Sequence, residues 1–169
     1  MKKTLKKINN LVETGIIKEY ALAGGMAQFY YVEPSVTYDL DLIVNLVNNE
    51  NDLEPLASLY KWANENNYHS EGEHILIVGI PVQFLLPYNK LVAEALKNRV
   101  QITLFEEKTF ILKAEYLMAI MLQTWRSIDR ERLIRFIDEA NYDENRFNDI
   151  LERFGLLNKY KDFKARYYG

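Results

Sequence analysis

The sequence contains no cysteine, no long apolar stretch and no excess of basic residues. The lack of cysteine excludes disulfides, zinc sites built on thiolates and cysteine nucleophiles, and it is compatible with a reducing cytoplasm, where we expect the protein to reside. No apolar run is long enough to span a membrane, so we expect no membrane partner. The net charge of −3 argues against a surface that binds polyanions generically.

The hydrophobic pattern divides the chain into a mixed half and a helical half. A length of 169 residues suits one domain, or one domain with a helical extension. In the first half, short alternating or apolar runs that favour strands are mixed with segments of helical periodicity. From Lys113 onward, three segments have helical spacing, and an aromatic and basic tail follows them. We therefore predict an α+β core at residues 1–112 and a helical region packed on it at residues 113–169.

Two aspartates share one face of a predicted strand. The segment TYDLDLIVNL alternates with period two, which places Asp39 and Asp41 on the same side, roughly 6–7 Å apart along the backbone. Two like charges on an otherwise apolar strand repel each other and are costly to bury unless a cation bridges them. Mg²⁺ takes oxygen ligands and keeps positions open for substrate phosphates. The pair therefore predicts a metal site suited to phosphoryl transfer.

A glycine doublet, Gly24-Gly25, precedes this strand. Glycine has no Cβ, so a backbone N–H can approach a phosphate closely, and a helix that begins there would add its N-terminal amides. Either feature alone is more often structural than functional, because exposed strand faces often carry acids and turns often contain glycine. The combination of an apolar strand, a glycine doublet, a short helix and a strand with D-x-D is more specific.

This arrangement resembles the signature of the nucleotidyltransferase superfamily, and within it the chain looks most like the AbiEii-type abortive-infection toxins. The resemblance covers roughly residues 16–139, and it includes an R-x-x-D segment at Arg126 and Asp129. The residues that match the signature are Gly24, Gly25, Met26, Ala27, Pro34, Thr37, Asp39, Leu40, Asp41 and Leu42.

The resemblance implies a small mixed β-sheet flanked by helices, with a C-terminal helical region. It implies transfer of a nucleoside monophosphate from a nucleoside triphosphate (NTP) to a hydroxyl, with Asp39 and Asp41 as catalytic residues that hold two Mg²⁺ ions. The acceptor would be a tRNA or a protein hydroxyl. The protein would act in a toxin–antitoxin or phage-defence system, with a cognate antitoxin or toxin as partner. The residues implied to bind the nucleotide are Gly24, Gly25, Thr37, Gln83 and Arg126.

The third carboxylate, which the superfamily supplies from a later strand, is missing. The corresponding segment is GIPVQFLLP, where the position reads Gln83, and an amide cannot take up a proton at neutral pH. Glu71 and Glu73, in a nearby predicted loop, are candidate substitutes. Two hypotheses stay open: an active magnesium-dependent nucleotidyltransferase with fewer carboxylates, and a nucleotide-binding or partner-binding protein of the same fold that has lost the chemistry. A third hypothesis has both aspartates facing solvent at a sheet edge.

Two further groups of polar residues favour a structural interpretation. His69 and His74 flank the acidic segment SEGE, but their spacing does not define a zinc geometry, so we expect a polar surface loop there. The arginines of RSIDRERLIR are expected to be mostly solvated or paired along a helix, and only Arg126 is singled out, because of the resemblance. Met121 stands where related helices often carry a basic residue, which removes one phosphate partner.

Overall fold

The structure is a computed structural model that describes residues 1–32, 37–47 and 54–169. Pro34 of the predicted motif lies outside these residues. The helices within them are α1 (Lys2–Glu13), α2 (Gly24–Tyr31), α3 (Ala57–Glu65), α4 (Lys90–Lys97), α5 (Ala114–Thr124), α6 (Ser127–Glu139), α7 (Glu144–Arg153) and α8 (Leu157–Tyr168). The strands are β1 (Ile17–Leu22), β2 (Leu40–Leu46), β3 (Ser70–Glu71), β4 (His74–Ile77), β5 (Ile80–Leu85), β6 (Val100–Leu104) and β7 (Glu107–Ile111).

The strands form one mixed sheet in the order β3-β4-β5-β2-β1-β7-β6. The pairs β2–β5 and β1–β7 are parallel, and the remaining pairs are antiparallel. The strand β2, which carries the end of the D-x-D segment, lies in the middle of the sheet and has a neighbour on each side. Asp41 is therefore not on an edge strand, contrary to the hypothesis that places the aspartates at a sheet edge. The predicted strand over residues 37–46 is shorter than expected, since Asp39 lies just before β2.

Burial along each element follows its expected period. The apolar face of α1 repeats every three to four residues, and its Leu5, Ile8 and Leu11 are fully buried where the helix packs on β1 and β7. In β2, both Ile43 and Val44 are buried, because a central strand in a mixed sheet is covered on both of its faces. The predicted α+β fold, a mixed sheet with flanking helices, is confirmed.

The helices that follow the sheet bring the second half of the chain back onto the first. Most of α5 is buried, and this helix packs against α4, α6 and α7. α6 also contacts α2, and residues of the N-terminal half of α6 line one pocket together with Gly24. The division into a core of residues 1–112 and a helical region of residues 113–169 stays a prediction. Within the described ranges, no helix combines the length and the apolar character that are needed to cross a membrane.

Candidate functional site

The start of α2 lies directly against Asp41. The backbone N–H of Ala23 donates a hydrogen bond to the carbonyl oxygen of Asp41 over 2.8 Å, which ties the turn before α2 to the beginning of β2. Gly24 has a φ of +53°, and a Cβ at this position would overlap the Asp41 carboxylate, since it would lie 2.7 Å from Cγ. Only glycine meets both conditions, so Gly24 allows the chain to turn and to pass close to this side chain.

The second glycine borders the other aspartate through a threonine. A Cβ at Gly25 would lie 2.6 Å from the Thr37 Oγ1 atom. The Thr37 hydroxyl donates a hydrogen bond of 2.6 Å to the Asp39 Oδ1 atom. Gly25 therefore leaves the space in which Thr37 orients the Asp39 carboxylate. The predicted contact of Thr37 with a nucleotide stays a prediction.

The register of three adjacent strands places a glutamine and a histidine beside Asp41. Asp41 in β2 is paired with Gln83 in β5, and Gln83 is paired in turn with His74 in β4. Side chains at paired positions lie on the same face of a sheet, so these three form one row across it. The Gln83 Nε2 atom donates a hydrogen bond of 2.6 Å to the Glu73 Oε2 atom. Gln83 is thus next to Asp41, as the resemblance implied, but its amide is engaged by Glu73.

The expected polar surface loop around the histidines is only partly correct. His69 is exposed, but His74 is a strand residue, and its imidazole lies near the aspartates. One ligand atom each from Asp39, Asp41 and His74 lie within 4.8 Å of one another. Sequence reasoning missed His74 because the pairing of β4 with β5, and not the spacing of residues along the chain, brings it to the site.

Among the described residues, the two carboxylates have no ion-pair partner. Neither Asp39 nor Asp41 forms an ion pair with any residue that the structure describes. Burial raises the pKa of Asp41, and the neighbouring Asp39 raises it further, while the positive charge of Arg132 acts in the opposite direction. The site therefore carries negative charge that a bound cation would stabilise.

A pocket opens beside Asp41 and is bordered by α5 and α6. Its inner wall is apolar and includes Ile43, Leu117 and Met121, so the methionine that was predicted to replace a basic residue does line the site. Its polar rim contains Asp41, Gln83, Tyr88, Arg126 and Arg132. The pocket thus combines an apolar lining with the Asp41 carboxylate and the guanidinium groups of Arg126 and Arg132.

The predicted R-x-x-D segment forms an ion pair at the start of α6. Arg126 donates from Nε to the Asp129 Oδ2 atom over 2.7 Å and from Nη2 to the Oδ1 atom over 3.0 Å. The Asp129 side chain is 2% exposed, whereas that of Arg126 is 68% exposed. Burial raises the pKa of Asp129, but hydrogen bonds from Arg126 and Thr124 outweigh this effect, so the net pKa is lowered. The pair holds the Arg126 guanidinium at the pocket rim.

A second arginine at the site was missed by sequence reasoning. Arg132 lies on α6 and lines both the pocket beside Asp41 and an adjoining groove that contains Asp39 and His74. The signal was present, because Arg132 follows Asp129 at i, i+3 spacing on α6 and so lies on a neighbouring part of the helix surface. Arg130, one residue outside this spacing, instead donates to the Trp125 carbonyl oxygen over 3.0 Å.

Comparison with known proteins supports the fold. No protein family matches this sequence, and no curated protein matches it either. Among solved structures, the chain is similar to an antigenic nucleotidyltransferase-like protein from Paracoccidioides brasiliensis, with a TM-score of 0.57 and 13% identity. The similarity covers 96% of this chain and 88% of that chain. The chain therefore has a nucleotidyltransferase-like fold over nearly its whole length.

Proposed function

We propose that this protein is a nucleotidyltransferase, which transfers a nucleoside monophosphate from an NTP to a hydroxyl group. One observation carries the proposal: in a nucleotidyltransferase-like fold, Asp39 and Asp41 lie beside the N-terminus of α2, and neither forms an ion pair with any residue that the structure describes. In such a transfer, the acceptor oxygen forms a bond to the α-phosphorus while the bond to pyrophosphate breaks. The charge of the triphosphate and of the two carboxylates must then be balanced within the site.

The site offers groups suited to a triphosphate. The Ala23 side chain provides no hydrogen bond to cap α2, so the first N–H groups of the helix are available to phosphate oxygens. Arg126 and Arg132, which line the same pocket as Asp41, would pair with phosphate charge. The apolar wall between them would accept the base.

The donor set also fits a divalent cation. Asp39 and Asp41 offer carboxylate oxygens of the kind that Mg²⁺ prefers, and their ligand atoms lie close together. When bound, such a cation would stabilise the charge that develops on the phosphoryl oxygens. Thr37 would hold Asp39 in place for this purpose, through its hydroxyl. Dependence of the transfer on a divalent cation such as Mg²⁺, with two ions bound, is part of the proposal.

The acceptor and the biological role follow from the resemblance to AbiEii-type toxins. We propose a hydroxyl of a tRNA or of a protein as the acceptor, and a toxin–antitoxin or phage-defence setting with a cognate antitoxin. A nucleotide-binding protein without transfer activity is the second candidate. The observation that favours it is Gln83, whose amide stands beside Asp41 and is hydrogen-bonded to Glu73, so that it provides no third carboxylate.

A transfer assay tests the proposal. Purified protein is incubated with each α-labelled NTP and either Mg²⁺ or Mn²⁺, in the presence of total tRNA and cell protein, and label is followed into each fraction. The test variant is Asp39→Asn/Asp41→Asn. The matched control is Asp149→Asn/Asp162→Asn, which removes the same charge from two exposed positions.

The outcomes separate the two candidate functions. We expect label transfer by the parent and by the control, and none by the test variant. Saturable nucleotide binding without transfer would instead support the second candidate. If the parent protein neither binds nor transfers any NTP, both candidates are refuted.

A further inference from the structure

The third group beside the aspartates is a histidine, and a histidine changes which cations the site prefers. We propose that His74 is a metal ligand together with Asp39 and Asp41, and that the site takes a first-row transition-metal dication such as Mn²⁺ in preference to Mg²⁺. The proposal deepens the proposed function and rests on it for the role of the cation. The binding itself is measured without nucleotide.

The geometry of the sheet supports this ligand set. His74 and Asp41 flank Gln83 in one row, so their backbones are two strand spacings, about 10 Å, apart. Their ligand atoms nevertheless lie within 4.8 Å of each other and of an Asp39 oxygen. The two side chains therefore lean toward each other over the middle strand. The hydrogen bond from Gln83 to Glu73 engages the amide that lies between them.

The charge of the site favours a neutral third ligand. Asp39 and Asp41 already bring two carboxylates together, with ligand oxygens within 4.8 Å of each other. A third carboxylate would add repulsion, whereas a neutral imidazole donates a lone pair without adding negative charge. Arg132 lines the same groove as Asp39 and His74, but within the described residues no ion pair joins it to either aspartate, so their oxygens stay available.

Ligand chemistry then decides the cation. Mg²⁺ binds oxygen ligands almost exclusively, whereas imidazole nitrogen is a ligand for transition metals. Mn²⁺ accepts carboxylate oxygens as readily as Mg²⁺ does and gains more from a nitrogen ligand. A site with two carboxylates and one imidazole therefore discriminates against Mg²⁺ through His74.

The test measures metal binding by the nucleotide-free protein. Mn²⁺ is titrated while the free ion is followed by electron paramagnetic resonance, and Mg²⁺ affinity is obtained by competition. Pulsed electron paramagnetic resonance then detects the coupling of a ligand nitrogen to the bound Mn²⁺. The sequence contains only two histidines, so His69→Ala is the matched control for His74→Ala. Circular dichroism establishes that each variant is folded.

The parent protein and His69→Ala should bind Mn²⁺ at least about tenfold more tightly than Mg²⁺ and should show imidazole nitrogen coupling. His74→Ala should lose the coupling and at least about tenfold in Mn²⁺ affinity, since even residues that only orient metal ligands contribute that much. Its Mg²⁺ affinity should change less, so the selectivity of the site falls. A general loss of folding would not produce this change in selectivity.

Three results would overturn the inference: Mn²⁺ bound without nitrogen coupling, unchanged Mn²⁺ affinity in His74→Ala, or no Mn²⁺ binding by the parent protein. Each leaves the proposed function standing if label transfer is observed with Mg²⁺. Conversely, nitrogen coupling that depends on His74, in a protein that transfers no nucleotide, supports the inference while the proposed function fails.

Discussion

Replacement of Gly24 by alanine tests whether the nearby Asp41 carboxylate is the reason that this position needs a glycine. Gly24 has a φ of +53°, and an added Cβ would overlap the carboxylate of Asp41. Asp41 cannot move away freely, because Ala23 holds its carbonyl oxygen and β2 is paired with a strand on each side. Gly24→Ala should therefore combine a backbone penalty with a steric one.

Gly15→Ala isolates the backbone penalty. Gly15 has a φ of +74°, and a Cβ there would meet no atom within 4 Å. An alanine in the left-handed region costs about 1–2 kcal/mol, which applies to both positions. The overlap at Gly24 should add about 1–3 kcal/mol, the usual effect of forcing extra atoms into a packed site. For a chain of this length, each kcal/mol lowers the Tm by roughly 2–4 °C, so Gly24→Ala should melt below Gly15→Ala by several degrees.

Denaturant unfolding of a double-variant cycle measures the steric part directly. Asp41→Ala removes the carboxylate, which leaves only its Cβ, at 2.9 Å, in contact with the added methyl group. The free energy of unfolding lost through Gly24→Ala should therefore be smaller in the Asp41→Ala background than in the parent. Equal losses in both backgrounds, or equal losses for Gly15→Ala and Gly24→Ala, would refute this account of the doublet.

Two further predictions concern the charged residues of the site. In protein freed of metal by a chelator, Asp41→Asn should raise the Tm at neutral pH, because burial and Asp39 disfavour the Asp41 charge. Folding raises the pKa of Asp41, so the parent protein should lose stability as the pH rises from the pKa of the unfolded state through the pKa of the folded state. Calorimetry should show that Asp41→Asn lacks this loss. Asp129→Asn should lower the free energy of unfolding by about 1.5–3 kcal/mol, since a buried carboxylate loses charged hydrogen bonds. Urea titration should show at most about 1 kcal/mol for the exposed control Asp149→Asn, and equal effects of the two changes would contradict the importance of burial.

Local patterns predicted the parts of the site that one segment carries. Alternation along residues 37–46 predicted a strand, which the structure has from Leu40 onward with Asp41 in it and Asp39 just before it, and the glycine doublet marks the start of a helix. The pairing of Arg126 with Asp129 was expected from the resemblance, and in the structure Asp129 supplies the acidic half of a capping box at the start of α6. These features depend on residues that are close together in the chain, and such residues can be recognised from a sequence pattern.

Features that depend on strand pairing were not accessible in this way. His74 reaches the aspartates only because β4 pairs with β5, and β5 with β2, in one particular register. A shift by one residue would have turned it to the opposite face of the sheet. The role of Glu73 as partner of Gln83 depends on the same register. Arg132 belongs to both categories, since its helical face was predictable but the packing of α6 on α2 was not.

The two adjacent glycines border different carboxylates, and this has a consequence for sequence variation. Gly24 adjoins Asp41, whereas Gly25 adjoins Thr37 and acts on Asp39 through it. A small side chain in place of the second glycine would thus perturb one acid and spare the other. Each glycine of the doublet therefore makes room for one carboxylate, and the doublet does not act as one flexible hinge.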